Sequence, residues 1–247
     1  MADDAHPLRL RVENALSLRA PRMFLIKICG ITTVDDALMA AEAGADAIGL
    51  NFYPRSPRYV APDVARRIAD AVSGRVARVG VMVDPTEQEA LSLVSEVGLD
   101  VIQLHGTEPA ALAARLSRAV ALLKAFRIGP EGLGPVLEHL SEVRRLGGVL
   151  RGVLFDACQP GQLGGSGKPA DWTAIQDYPS QGGHPPFILA GGLTPDNVAS
   201  AIQTLHPAGV DTASGVEKSP GCKDPLLVAR FVREARAAFL AAGTQLP

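Results

Sequence analysis

The chain has 247 residues, 47% of them hydrophobic, and a formal net charge of −2. That is length for one large domain or two small ones, with apolar material for a sizeable core. The near-neutral charge gives no bulk electrostatic reason to expect nucleic acid or an anionic membrane as partner, and no run approaches the roughly 18 apolar residues of a membrane span.

Residues 1–22 mix acids with arginines and lack a continuous apolar stretch, so they read as a loosely ordered extension and not as a secretory signal. The first apolar run, FLIKICGI (24–31), ends on a lysine, a cysteine and a glycine. A helix over 34–45 follows, with Thr32 or Thr33 as N-cap and Gly44 as its stop. ADAIGLNF (45–52) is the second strand, and the helix over 62–72 opens with a proline. The third strand lies in 76–84, with a helix over 85–98, and the fourth in DVIQLHG (100–106), with a helix over 108–119. VALLKAF (120–126) precedes a helix within 131–148. RGVLFD (151–156) is followed by a glycine-rich loop and a helix over 169–178. PFILAGGL (186–193) pairs with a helix over 194–205, and GVDTAS (209–214) with a second glycine-rich loop and a final helix over 224–243. GPEGLGP (129–135) and PSQGGHPP (179–186) read as surface loops.

The strands are short and apolar on both faces, as a buried parallel sheet requires. Eight strand–helix pairs in succession predict a single closed (β/α)8 TIM barrel over residues 23–247. A doubly wound open sheet would need fewer strands or a domain break, and neither is visible.

In such a barrel the site lies at the C-terminal ends of the strands. Cys29 ends strand one; Asn51 and Phe52 end strand two, with Arg55 and Arg58 in the loop beyond; Asp84 ends strand three; Gln103 and His105 end strand four. Lys124 and Arg127 end strand five, Asp156 strand six, Gly191 and Gly192 strand seven, and Asp211 and Ser214 strand eight. So many reactive residues at one edge are hard to attribute to packing.

LGGSGKP (163–169) is not a nucleotide-binding P-loop, because Gln162 stands where that motif needs glycine and Pro169 where it needs Ser or Thr. Its glycines would still let backbone N–H groups approach an anion. With AGGL (190–193) and ASGVE (213–217) it makes three glycine turns after strands six, seven and eight, the quarter where barrels often bind phosphate. Cys29 is open to two readings, a small core hydrophobe or a thiol that acts as a base if its pKa is lowered. Lys27 shares its face only if the strand stays regular. Arg58 reads as an exposed loop arginine unless a carboxylate needs it. His105 reads equally as a satisfied strand-end histidine. The three cysteines, Cys29, Cys158 and Cys222, are odd in number and widely spaced, which fits a reducing cytosol, and no pair has zinc-ligand spacing. Cys158 and Cys222 fall in loops with no assigned role.

KICGIT (27–32), GLNFYPRSPRYV (49–60), VGVMVD (79–84), IQLHG (102–106), LFDA (154–157), GGSGK (164–168), LAGGLTPDNV (189–198) and GVDTASGVEKSPGCKD (209–224) together resemble the phosphoribosylanthranilate isomerase family of tryptophan biosynthesis. The matches run in order from about residue 24 to the C-terminus. The resemblance implies an Amadori rearrangement of N-(5-phosphoribosyl)anthranilate to 1-(2-carboxyphenylamino)-1-deoxyribulose 5-phosphate, with no metal and no organic cofactor. It implies Asp156 as general acid on the ribose ring oxygen and Cys29 as general base on the neighbouring ribose carbon. Arg58 would hold the anthranilate carboxylate, with Gln103, His105 and Asp211 as further substrate contacts. Gly165, Ser166, Gly167, Gly191, Gly192, Ser214 and Gly215 would hold the phosphate. A small-molecule substrate, a cytoplasmic monomer or homodimer, and no nucleic-acid or membrane partner complete the expectation.

This chain departs from the family's common DVSSGVE, reading Asp211-Thr212-Ala213-Ser214, so one side-chain hydroxyl is lost at Ala213. Competing readings are the related histidine-pathway isomerase, which would be expected to use paired aspartates where this chain has Cys29, and a non-catalytic barrel, which would need neither Cys29 nor Asp156.

Overall fold

The computed structural model describes residues 24–156, 175–178 and 183–243. Eight strands close a parallel barrel in chain order: β1 (Ile26–Cys29), β2 (Ala47–Asn51), β3 (Ala77–Met82), β4 (Val101–Leu104), β5 (Ala121–Arg127), β6 (Gly152–Asp156), β7 (Phe187–Ala190) and β8 (Gly209–Thr212). The seven described α-helices are α1 (Val34–Glu42), α2 (Pro62–Ala71), α3 (Glu87–Val97), α4 (Ala110–Leu116), α5 (Gly134–Arg145), α6 (Val198–Leu205) and α7 (Pro225–Ala241). No described helix is long and apolar enough to cross a membrane.

Local chemistry sets the helix starts. Thr33, not Thr32, caps α1, its hydroxyl accepting from the Asp36 N–H at 3.1 Å, while the Thr32 hydroxyl donates to the Gly221 carbonyl at 2.6 Å. Thr86 and Glu89 form a reciprocal capping box on α3. Asp224 caps α7 ahead of Pro225.

Three expected boundaries move. The helix after β4 starts at Ala110, because Glu108 turns inward and is buried. The helix after β7 starts at Val198, because Asn197 folds back to accept from the Thr194 N–H at 2.8 Å. GPEGLGP is not all loop, since α5 begins at Gly134. Most of the helix expected over 169–178 lies outside the described residues. The second glycine-rich loop is built, not loose: a 3-10 turn (Ser214–Val216) leads into a hairpin of β9 (Glu217–Ser219) and β10 (Cys222–Lys223).

The alternation of each strand sorts its side chains. Outward residues such as Ile28, Ile48, Ile102, Phe155 and Leu189 pack under the helices. Inward residues form a second core of Phe24, Ala47, Val79, Val101, Leu123, Leu154 and Ile188. Fully burying such a side chain is worth about 1.5–3 kcal/mol, so the apolar filling holds the barrel while its upper layer carries polar groups.

Candidate active site

A cavity of ≈ 900 Å³ opens at the C-terminal ends of the strands. Cys29, Arg58, Gln103, His105, Asp156 and Asp211 all line it, and so do Gly191, Gly192, Ser214 and Gly215. Gly165, Ser166, Gly167 and Cys158 lie outside the described residues.

One wall is built from β1, β8 and the hairpin. β1 stays regular, so Lys27 and Cys29 share the inward face. Lys27 stands in register with Ala47 on one side and Asp211 on the other, and its ammonium donates to Asp211 Oδ1 at 2.9 Å, both groups buried. Cys29 stands in register with Gly49. A Cβ at Gly49 would come within 2.6 Å of Cys29 Sγ and 3.1 Å of Lys27 Cε, so glycine is what lets the thiol and the lysine stem meet there. The Lys27 charge stands close enough to the thiol to act on it.

The electrostatics of this wall are set by burial against charge. Burial pushes the Cys29 thiol up, opposed by Lys27 and Lys223 and reinforced by Asp211; the net direction is upward. Burial works against the Lys27 charge, but Asp211 and Cys29 outweigh it and hold that ammonium above its ordinary value. Burial pulls Lys223 down.

Arg58 is not the exposed arginine expected from its loop position. Its side chain is 22% exposed and grips Glu217 with both ends of a fork, Nε to Oε1 at 2.8 Å and Nη2 to Oε2 at 2.6 Å. It lies across Gly30, whose φ of +74° and lack of a Cβ are both needed for that passage. Lys223 Nζ completes the cluster, donating to Glu217 Oε1 at 2.8 Å and to the Ala213 carbonyl at 3.1 Å. Burial pushes Glu217 up, but hydrogen bonds from Arg58 and Lys223 outweigh it and hold the carboxyl below its usual range.

The other wall comes from β4, β5 and β6. Gln103 is fully buried, with Nε2 at 2.9 Å from His105 Nδ1. His105 Nε2 stands 3.6 Å from Asp156 Oδ2, and Arg127 Nε stands 3.8 Å from the same oxygen. On the third side, Gly191 and Gly192 turn with φ of +87° and +69°, and the Thr212 hydroxyl donates to the Leu193 carbonyl at 2.7 Å, tying the two glycine turns together.

Two strand-end residues that line the cavity, Lys124 and Asp84, are also tied into the loop after β4. Lys124 occupies an outward position of β5, where its ammonium binds Glu108 Oε2 at 2.9 Å and the Gly106 carbonyl at 2.8 Å. Glu108 in turn accepts from the N–H groups of Asp84 and Gly106, both at 3.0 Å. Asp84 therefore braces the loop after β4, its Oδ1 accepting from the Thr107 N–H at 2.7 Å. Phe52 packs outward against the core, Arg55 is exposed, and Cys222 is exposed on β10. Sequence reasoning gave no roles to Lys27, Glu217, Lys223 or Glu108. Lys27 was signalled by its two-residue spacing from Cys29, and Glu217 and Lys223 by their place in SGVEKSPGCKD.

A family model described as N-(5'phosphoribosyl)anthranilate (PRA) isomerase matches residues 26–234. The chain belongs to that family. Among curated isomerases, one from Thermotoga petrophila is 41% identical over 214 residues, covering 87% of this chain and 99% of the relative. One from Geobacter sp. strain M21 is 43% identical over 215 residues, covering 87% and 98%. The solved phosphoribosyl anthranilate isomerase of Thermotoga maritima superposes with a TM-score of 0.76 at 39% identity, covering 87% of this chain and all of that one. A solved isomerase in complex with reduced 1-(o-carboxyphenylamino)-1-deoxyribulose 5-phosphate superposes with a TM-score of 0.73 at 36% identity, again over 87% of this chain and all of that one. The family match spans all eight strands of the barrel and ends within its last helix, and residues 1–23 fall outside both the match and the described structure.

Proposed function

We infer that Cys29 and Asp156 divide one isomerisation between them across the barrel mouth. Family membership makes the chain an isomerase of tryptophan biosynthesis, acting on N-(5'-phosphoribosyl)anthranilate. The observation that carries the division of labour is placement. Cys29 and Asp156 line one cavity, yet β1 and β6 are separated by two strands in one direction around the barrel and four in the other. A small sugar lying between them meets a thiol on one side and a carboxyl on the other.

The residue types suit the chemistry. Asp156 gives a proton to the ribose ring oxygen as the ring carbon–oxygen bond breaks, and the anthranilate nitrogen forms a Schiff base with the freed carbon. The Cys29 thiolate takes the proton from the neighbouring ribose carbon, leaving an enolamine that becomes the ketone. Positioned acid–base groups of this kind typically contribute 10²–10⁴-fold each. Arg58 presents its charge to the anthranilate carboxylate. Gly191, Gly192, Ser214 and Gly215, together with Gly165, Ser166 and Gly167, hold the phosphate, whose binding energy orients the reacting carbon. Gln103 and His105 flank the acid. Asp211, expected on a ribose hydroxyl, reaches the substrate through the oxygen that Lys27 does not use. The protein acts in the cytosol as a monomer or homodimer; a solved Thermotoga maritima relative is described as monomers generated from a dimeric isomerase.

The test is turnover of freshly generated phosphoribosylanthranilate, followed by loss of its fluorescence, in wild type, Cys29→Ala and Asp156→Asn. Wild-type turnover lost in both folded variants supports both roles. Turnover that survives Cys29→Ala removes the thiol from the chemistry.

A further inference from the structure

Lys27 is a fully buried ammonium that the isomerisation as derived above does not use. Its ammonium donates to Asp211 at 2.9 Å, and its stem lies beside the Cys29 thiol over Gly49. Its position is specified by three independent features: the shared inward face of β1, the direct register with Asp211 on β8, and a glycine at position 49 that leaves room for thiol and lysine stem to meet. A buried ammonium with one carboxylate partner is already neutralised. A second anion beside it, a thiolate, is then balanced only because the ammonium is shared between them.

We propose that Lys27 is the positioning residue that allows Cys29 to ionise, and that Asp211 opposes it, so the two halves of one ion pair drive the thiol in opposite directions. The proposal rests on Cys29 being the base. No bond to Lys27 forms or breaks: the thiolate accepts the proton from the ribose carbon and becomes a thiol, and Lys27 keeps its three protons throughout. The other charged groups facing the thiol are Lys223 on β10 and Arg58 after β2, and both are already engaged by Glu217 on β9. Burial and Asp211 raise the thiol's pKa, while Lys27 and Lys223 lower it, Lys27 being the larger of the two cations in effect.

The readout is the pH dependence of Cys29 alkylation by iodoacetamide, in a Cys158→Ser/Cys222→Ser background so that one thiol remains. An opposite charge within about 4–6 Å moves a pKa by about 1–3 units. Lys27→Met should therefore raise the alkylation midpoint by about one unit or more, making the thiol about tenfold slower at neutral pH. Asp211→Asn should lower the midpoint, because the thiolate becomes the ammonium's counter-ion. Lys27→Met leaves Asp211 buried without its partner and could fail to fold, so the Lys27→Met/Asp211→Asn double variant, which buries no charge, repeats the test. Its midpoint should lie above wild type and below Lys27→Met, since Lys27 outweighs Asp211. The alkaline shift should reappear in the kcat/KM profile of the folded lysine variants. A midpoint unchanged in the folded double variant, or moved the same way by Lys27→Met and Asp211→Asn, overturns the proposal. The base reading fails separately: if Cys29→Ala retains turnover, alkylation still reports whether Lys27 sets the thiol.

Discussion

The two walls of the cavity handle charge in opposite ways. On the β1, β8 and hairpin side, Lys27, Asp211 and Lys223 are buried and Glu217 is 4% exposed, and every charge is locked by hydrogen bonds of 2.6–3.1 Å. On the β4–β6 side, His105 and Asp156 are 25% and 17% exposed and Arg127 is 72% exposed, and the His105 and Arg127 contacts to Asp156 stand at 3.6 and 3.8 Å, longer than hydrogen bonds. The dry wall is preorganised, so the protonation of a group there is decided by its fixed neighbours. On the wetter wall the His105 and Arg127 contacts to Asp156 have room to tighten around a substrate, as catalytic hydrogen bonds often do.

The largest test of that contrast removes one reacting group from each wall. Cys29→Ala and Asp156→Asn should each lower kcat by about 10²–10⁴-fold, measured by the fluorescence assay, with thermal unfolding close to wild type. Next is the dry wall's stability. Glu217→Gln takes the carboxylate from two cations at once and should cost about 3 kcal/mol in denaturant unfolding, the range for breaking a buried pair. It should also flatten the acid limb of stability. A carboxyl held lower in the folded state than in the unfolded one adds stability above its unfolded pKa, and that gain is lost as pH falls through the native value. Wild type should therefore weaken below about pH 4.5 and Glu217→Gln should not follow.

Smaller effects sharpen the geometry. Gly49→Ala pushes a methyl against the thiol and the Lys27 stem and should destabilise by about 1–3 kcal/mol, with a changed alkylation rate at Cys29. Gln103→Leu leaves His105 Nδ1 without its partner and should cost about 1 kcal/mol, or about fivefold in kcat/KM. Arg127→Ala, at the exposed end of the wet wall, should stay within about 1 kcal/mol by either measure.

The barrel was legible because strand and helix periods alternate without a break, and because buried parallel strands leave an unmistakable apolar signature. The strand-end rule then brought Cys29, Arg58, Gln103, His105, Asp156 and Asp211 into one cavity. What escaped it is physically consistent. Lys124 lines the cavity, but its outward position on β5 ties its ammonium to Glu108, which a rule that counts distance along the strand without parity does not foresee. Arg58 looked solvated because its partner, Glu217, lies 159 residues away and faces it only after the barrel closes. Lys27 was visible beside Cys29, but its importance depends on Asp211 across the β1–β8 seam, a pairing that joins the two ends of the chain.

The central claim is that the thiol works on carbon and the carboxyl on oxygen. The direct measurement is the kinetic isotope effect on kcat/KM with deuterium on the ribose carbon next to the anomeric carbon. Replacing Cys29 by Ser weakens the base, makes proton removal more limiting and should raise the effect above wild type. Asp156→Asn slows ring opening instead and should suppress the effect toward unity. Suppression by Cys29→Ser, or elevation by Asp156→Asn, would contradict the assignment of the two walls.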